Sequence, residues 1–202
     1  LPYYASEGDS YIGFAREFLD MFADEAGIEF EYRPLPVRRL YVLFLQGRLD
    51  FKFPANELWS QEMKKDYRVV YSNPVVPFVD GLIVRPQHFG QGIGVIRRIG
   101  MVNEFTPMGW QQRIADGLVE VLETSELSNV IRLGLIGRVD GIYANPMVVD
   151  HLLRSNFYQP GALIFDPSLP HTESSYHLAS MKHFIVIDRF NNWMAENVVN
   201  IS

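Results

Sequence analysis

Three arginines stand where a fixed guanidinium could do recognition chemistry. Arg39 falls in the first turn of the short helix expected over Val37 to Gln46, just after Pro36, and Arg97 with Arg98 follows the apolar run Gly92 to Ile96, which reads as a strand. A guanidinium held at the end of such an element can grip a carboxylate or phosphate through paired hydrogen bonds. The plain alternative is a set of surface arginines in salt bridges. Tyr3, Tyr4 and Phe78 are rigid aromatics of the kind that stack on ligands, though core packing explains any one of them equally well.

Other chemistries find little support in the residue types and spacings. The 202-residue chain has no cysteine, which removes thiol catalysis and zinc-thiolate sites and suits an oxidising compartment. Its five histidines, His88, His151, His171, His177 and His183, show no metal-ligand spacing, so no metal is expected. Gly92-Ile93-Gly94 begins like a dinucleotide fingerprint, but Arg97 stands where the third glycine belongs, and no other cofactor motif is present. No serine sits in a nucleophile elbow. With net charge -6 and basic residues scattered among acidic ones, nucleic acid is not an expected partner. No apolar run reaches the roughly 18 to 20 residues needed to span a membrane, and the start lacks the basic-then-apolar pattern of a leader, so a signal peptide is expected to have been removed.

The elements that must carry these residues follow an α/β alternation. After the aromatic start, Asp9 or Ser10 can cap a helix over Tyr11 to Ala26, with Phe14, Phe18 and Phe22 on one side and Gly27 as its stop. Strands are expected over Ile28 to Tyr32, Leu49 to Phe53, Val69 to Tyr71, Asp80 to Arg85, Gly92 to Ile96, Leu118 to Leu122, Val139 to Tyr143, Ala162 to Phe165 and Tyr176 to Ala179. Helices intervene after Thr106-Pro107, after Thr124 or Ser125, and after Asn145-Pro146, with a closing helix from His183 to about Val199. Helices alternating with strands in this way point to doubly wound sheets.

Two stretches repeat one device: Gly47-Arg48-Leu49-Asp50 and Gly137-Arg138-Val139-Asp140. In each, a helical run stops at a glycine and a triplet leads into a buried strand. Their glycines are 90 positions apart (137 minus 47), the spacing of two similar lobes. The Arg and Asp of each triplet are expected to serve the helix-to-strand joint, delivering Pro54 to Asn56 and Tyr143 to Asn145 to the ends of strands, where such folds bind ligands.

The run from Gly13 to Phe51, then Tyr71-Ser72-Asn73-Pro74 through Arg85, then Gly137 through Asn145, resembles the extracellular solute-binding proteins of family 3, the type II periplasmic binding proteins best known for polar amino-acid uptake. The resemblance covers nearly the whole chain. It implies a two-lobed fold, with lobe 1 at 1–86 plus 180–202, lobe 2 at 87–179, two crossing strands, and a small-molecule ligand held in an interlobe cleft. It also implies a monomeric periplasmic receptor partnered by a membrane transporter permease. Family members usually open with a strand ahead of the Pro-aromatic segment, so the chain is expected to begin after that strand.

Two departures bear on the ligand. The resemblance implies an Arg immediately before the Leu-Ile-Val run to clamp a ligand carboxylate, and Gly81 stands there. It implies an Asp five residues beyond Asp140 to hold a ligand ammonium, and Asn145 stands there. A neutral amide can hydrogen-bond but cannot neutralise an ammonium. Pro36-Val37-Arg38-Arg39-Leu40 looks like a subgroup with Arg39 as a substitute anion holder. The expected ligand is therefore a small polar or anionic organic solute that is not a standard α-amino acid. Two alternatives share the fold. One is the ligand-sensing ectodomain of a membrane receptor. The other is a dehydratase-like enzyme, whose acid or base would be Glu57, Glu7 or Asp9.

Overall fold

The computed structural model describes residues 5–7 and 10–197, with side chains from Tyr11. Tyr3, Tyr4 and Asp9 lie outside the described residues, as does the side chain of Glu7. In chain order the elements are β1 (Ala5–Glu7), β2 (Ser10–Ile12), α1 (Phe14–Ala26), α2 (Val37–Leu45), β3 (Phe51–Ala55), α3 (Gln61–Lys64), β4 (Val70–Tyr71), β5 (Val76–Val84), β6 (Arg98–Val102), α4 (Gln111–Ala115), β7 (Glu120–Thr124), α5 (Leu127–Leu135), β8 (Gly141–Ala144), α6 (Pro146–Ser155), β9 (Ile164–Phe165), β10 (His171–Ser180) and α7 (Phe184–Asn197).

The chain forms two compact units, Leu1–Pro77 with Ser175–Ser202, and Phe78–Ser174. The divisions fall inside β5 and inside β10, whereas the sequence places them at 86/87 and 179/180. The reason is pairing: from Gly81 to Val84, β5 is hydrogen-bonded along β8, and Ile83 and Val84 also pair with β9, so most of this strand belongs to the second unit's sheet.

In the first unit, β10 pairs antiparallel with β3 and β4. The buried side of α1, Phe18, Leu19 and Phe22, packs against Ile187, Phe190, Trp193 and Met194 of α7. Phe22 and Phe190 meet edge to face with centroids 5.0 Å apart, a favourable arrangement for two ring quadrupoles. A second small cluster joins Phe44 and Leu45 of α2 to Ala55 and Ala179. In the second unit, β6 runs parallel to both β7 and β8, and β5 runs antiparallel to β8. One face of this sheet carries Ile83, Ile142 and Ala144 against α5 and α6; the other carries Leu82, Val84, Tyr143 and Trp110.

Several expected elements differ. Helix α1 begins at Phe14 because Tyr11 and Ile12 pair with β1 and Gly13 takes φ 102. Ile28 to Tyr32 forms no strand with any of the described residues, its alternation reflecting Ile28, Phe30 and Tyr32 packed onto the aromatic cluster. Gly92 to Ile96 is a 3-10 turn, with Gly92 at φ 78, and the strand follows it as β6. The helix after Pro107 is confined to α4, closed as expected by Gly117 at φ 68.

Candidate functional site

In the first unit the cations of interest lie on α2 and β3. Arg38 and Arg39 occupy the first turn of α2, where no acidic residue accompanies them and the helix dipole is positive, so two cations stand against the favoured sign. Arg39 is exposed and has no hydrogen bond or ion pair among the described residues. On β3, Lys52 is 5% exposed between Phe51 and Phe53, an inward-facing lysine in an aromatic strand. Its Nζ donates to the Pro54 carbonyl at 2.6 Å and lies 4.6 Å above the Tyr41 ring and 5.5 Å from that of Trp59. Burial, with the charge of Lys64 adding to it, pulls the Lys52 ammonium down to about 7.

Asn56 is buried and committed to the local scaffold. Its Nδ2 donates to Ser175 O at 2.9 Å, its Oδ1 accepts from Leu58 N at 2.9 Å, and its carbonyl accepts from Lys64 Nζ at 3.0 Å. Lys64 Nζ also donates to Glu57 O and to Tyr71 Oη. Of the carboxylates considered for catalysis, only the Glu57 side chain is described, and it is exposed.

In the second unit, the triplet Asp140 is a joint. Its Oδ2 accepts from the backbone N–H of Arg97 and of Arg98, both at 2.8 Å. Arg98 then pairs with Glu120 at 2.9 Å and donates to the Arg138 carbonyl. Because the strand is Arg98–Val102, these arginines stand at its start, opposite the carboxyl ends of β6 and β8. Asp50 plays a similar joining part in the first unit, where hydrogen bonds from Lys182 and His183 hold its carboxyl below the usual range.

The first half of β5 and the carboxyl end of β8 carry Phe78, Asp80, Gly81, Tyr143 and Asn145. Phe78 is 3% exposed, inside the protein. Gly81 has no room for a side chain: a Cβ there would sit 2.6 Å from Phe165 Cε2 and 2.8 Å from His171 Cβ. Asn145 caps α6, its Oδ1 accepting from Met147 N at 3.0 Å and Val148 N at 3.3 Å, as the Asn-Pro pair predicted. Replacing Asn145 with Ala should cost about 1 kcal/mol of stability, read as a lower urea midpoint. The Tyr143 hydroxyl accepts from Met108 N at 3.2 Å and is bonded to Thr172, and burial pushes it up to about 12.

Sequence reasoning passed over Lys52, Trp59 and Asp80. The signal for the two charged ones was available: each is an ionisable residue in the middle of an apolar strand. Among the described residues no group of histidine and acidic side chains could hold a metal ion.

No protein-family model matches the sequence, and no curated protein matches it significantly. Solved structures do match. Holo ArgBP from T. maritima aligns over 96% of this chain and 84% of its own, with 15% identity and a TM-score of 0.72. ArtJ, an arginine-, lysine-, histidine-binding protein from Geobacillus stearothermophilus, aligns over 98% and 85%, with 18% identity and a TM-score of 0.74. The GluR0 ligand-binding core, solved with L-glutamate, aligns over 96% and 86%, with 15% identity and a TM-score of 0.75. The chain therefore has the two-lobed α/β fold of the type II periplasmic binding proteins.

Proposed function

We propose that this protein is a periplasmic solute receptor of an ABC-type uptake system, binding a small polar or anionic organic solute that is not a standard α-amino acid. The fold it shares with amino-acid-binding proteins supports the solute-binding part. The observation that carries the ligand class is the filled space at Gly81, where Phe165 and His171 exclude any cationic side chain. Asn145, at the position where the resemblance implies an ammonium-holding Asp, is neutral and spends its oxygen on a helix cap. In this reading Arg39 holds the solute's anionic group, and the protein works as a monomer with a membrane permease and without a cofactor or catalytic step.

A thermal-shift screen across amino acids, organic acids and polyamines tests the proposal, since a selective ligand stabilises the folded state in proportion to RT ln(1 + [L]/Kd). The best stabiliser is then titrated calorimetrically into wild type and Arg39→Ala. Loss of one paired charge-assisted contact predicts at least tenfold weaker binding; unchanged affinity removes Arg39 from the site. A second reading, a sensory ectodomain of the same fold, is favoured by the likeness to the GluR0 ligand-binding core. A membrane span beyond residue 202 in the full-length gene product would decide for it.

A further inference from the structure

We propose that Asp80 and Asn145 together anchor a neutral ligand group that both donates and accepts hydrogen bonds, a hydroxyl or a carboxamide, an inference that rests on the solute-binding reading above. The pair is set by strand register. Gly81 lies opposite Ala144 in the last rung of the antiparallel β5–β8 ladder, so Asp80 and Asn145 are the next residue out on each strand, and alternation puts both on the face that carries Leu82 and Tyr143.

Both residues are largely buried, and neither free group has a partner among the described residues. Asp80 is 9% exposed, and its carboxylate makes no hydrogen bond or ion pair among the described residues. Asn145 is 7% exposed, its Oδ1 is fixed by the α6 cap, and its Nδ2 is buried without an acceptor. The cap decides which end of the amide is free. The nearby Tyr143 hydroxyl is already engaged with Met108 and Thr172 and fills neither vacancy. Unpaired polar groups buried this deeply are costly, which is the usual mark of a site completed by something else. The location fits as well, since β8 ends here beside the parallel strand β6, and α/β folds bind ligands at such carboxyl ends.

The two vacancies differ in sign, and that selects the ligand chemistry. An ammonium would satisfy Asp80 but present a further donor to Asn145 Nδ2. A carboxylate would accept from Asn145 but confront the Asp80 carboxylate. A hydroxyl or a primary carboxamide donates to Asp80 and accepts from Asn145 at once. Burial also pushes the Asp80 carboxyl up to about 7, so an ionised acceptor is fully present only above neutral pH.

The test uses the full chain at pH 8. Polyols, hydroxy acids and carboxamides of two to six carbons are screened by thermal shift beside deoxy and amino analogues of matched length, and the strongest stabiliser is titrated calorimetrically. The hydroxyl or carboxamide members should stabilise most, with matched deoxy analogues binding at least tenfold more weakly. Asp80→Asn should weaken the best probe at least tenfold without lowering the melting temperature; Asn145→Asp, which keeps a capping oxygen but sets a second carboxylate beside Asp80, should weaken it as much. A preference for amino or deoxy analogues, or unchanged affinity in both variants, overturns this inference alone. Failure of every solute to stabilise the protein overturns the solute-binding reading with it.

Discussion

Replacing Asp80 with Asn should stabilise the protein at pH 8 by up to about 4 kcal/mol, an effect that fades as the pH falls toward 4. Burial raises the Asp80 carboxyl from 3.8 to about 7, and every tenfold change in proton affinity between the folded and unfolded chain corresponds to about 1.4 kcal/mol. The sign follows from proton binding. Between pH 4 and 7 the folded state holds a proton at Asp80 that the unfolded state has released, so stability falls as pH rises through this window. Above it the folded protein carries a buried, uncompensated carboxylate. Asn has the same shape and no charge, so the variant escapes that loss. Lys52 acts with the opposite slope: its folded value of about 7 lies below the ordinary 10.5, so its contribution to stability rises with pH between those values. Urea unfolding of wild type and Asp80→Asn at pH 4, 6 and 8 separates the two. A difference that does not grow with pH would show that Asp80 does not carry the cost.

Gly81→Ala should lose about 1–3 kcal/mol, the usual cost of overpacking, and Gly81→Arg more. The backbone at Gly81 is ordinary, so the cost is steric. Phe165 cannot swing aside freely, because its ring packs against the core cluster of Ile83, Val149 and Leu163, and His171 stands edge-on to it with centroids 5.6 Å apart. The functional corollary is that Gly81→Arg does not create an amino-acid receptor even though it restores the residue implied by the resemblance. Denaturation midpoints measure the first claim. Titration of the Arg variant with L-arginine and L-glutamate measures the second, and tight binding of either would show that the space can open.

How much of this was legible in the sequence depends on the range of the interaction. Asn145-Pro146 was readable because a cap and its helix are neighbours in the chain, and the two glycine stops were readable because the left-handed turn is a property of one residue. Gly92 to Ile96 misled because alternating apolar residues report one-sided burial and not pairing; the true strand begins where Asp140 can receive the N–H groups of Arg97 and Arg98. That partner lies 43 residues away from Arg97. Asp80 was visible as an acid among apolar neighbours, but its lack of a partner depends on what stands across the ladder. The same holds for Lys52, whose neighbours Tyr41 and Trp59 come from an earlier helix and a later loop. The absence of a side chain at Gly81 could be read as a missing charge, whereas the ring of Phe165 filling that space could not.

The placing of the three tryptophans gives the molecule separate optical reporters. Trp193 sits in the aromatic cluster of α1 and α7, and Trp59 beside Lys52 and Tyr176, both in the first unit. Trp110, fully buried with its Nε1 donating to the Pro170 carbonyl at 3.0 Å, belongs to the second. With Trp59 and Trp193 changed to Phe, emission would follow the second unit alone, and restoring Trp193 would add the first. Fluorescence could then tell whether the two units, between which the chain passes twice, melt as one cooperative body or in sequence.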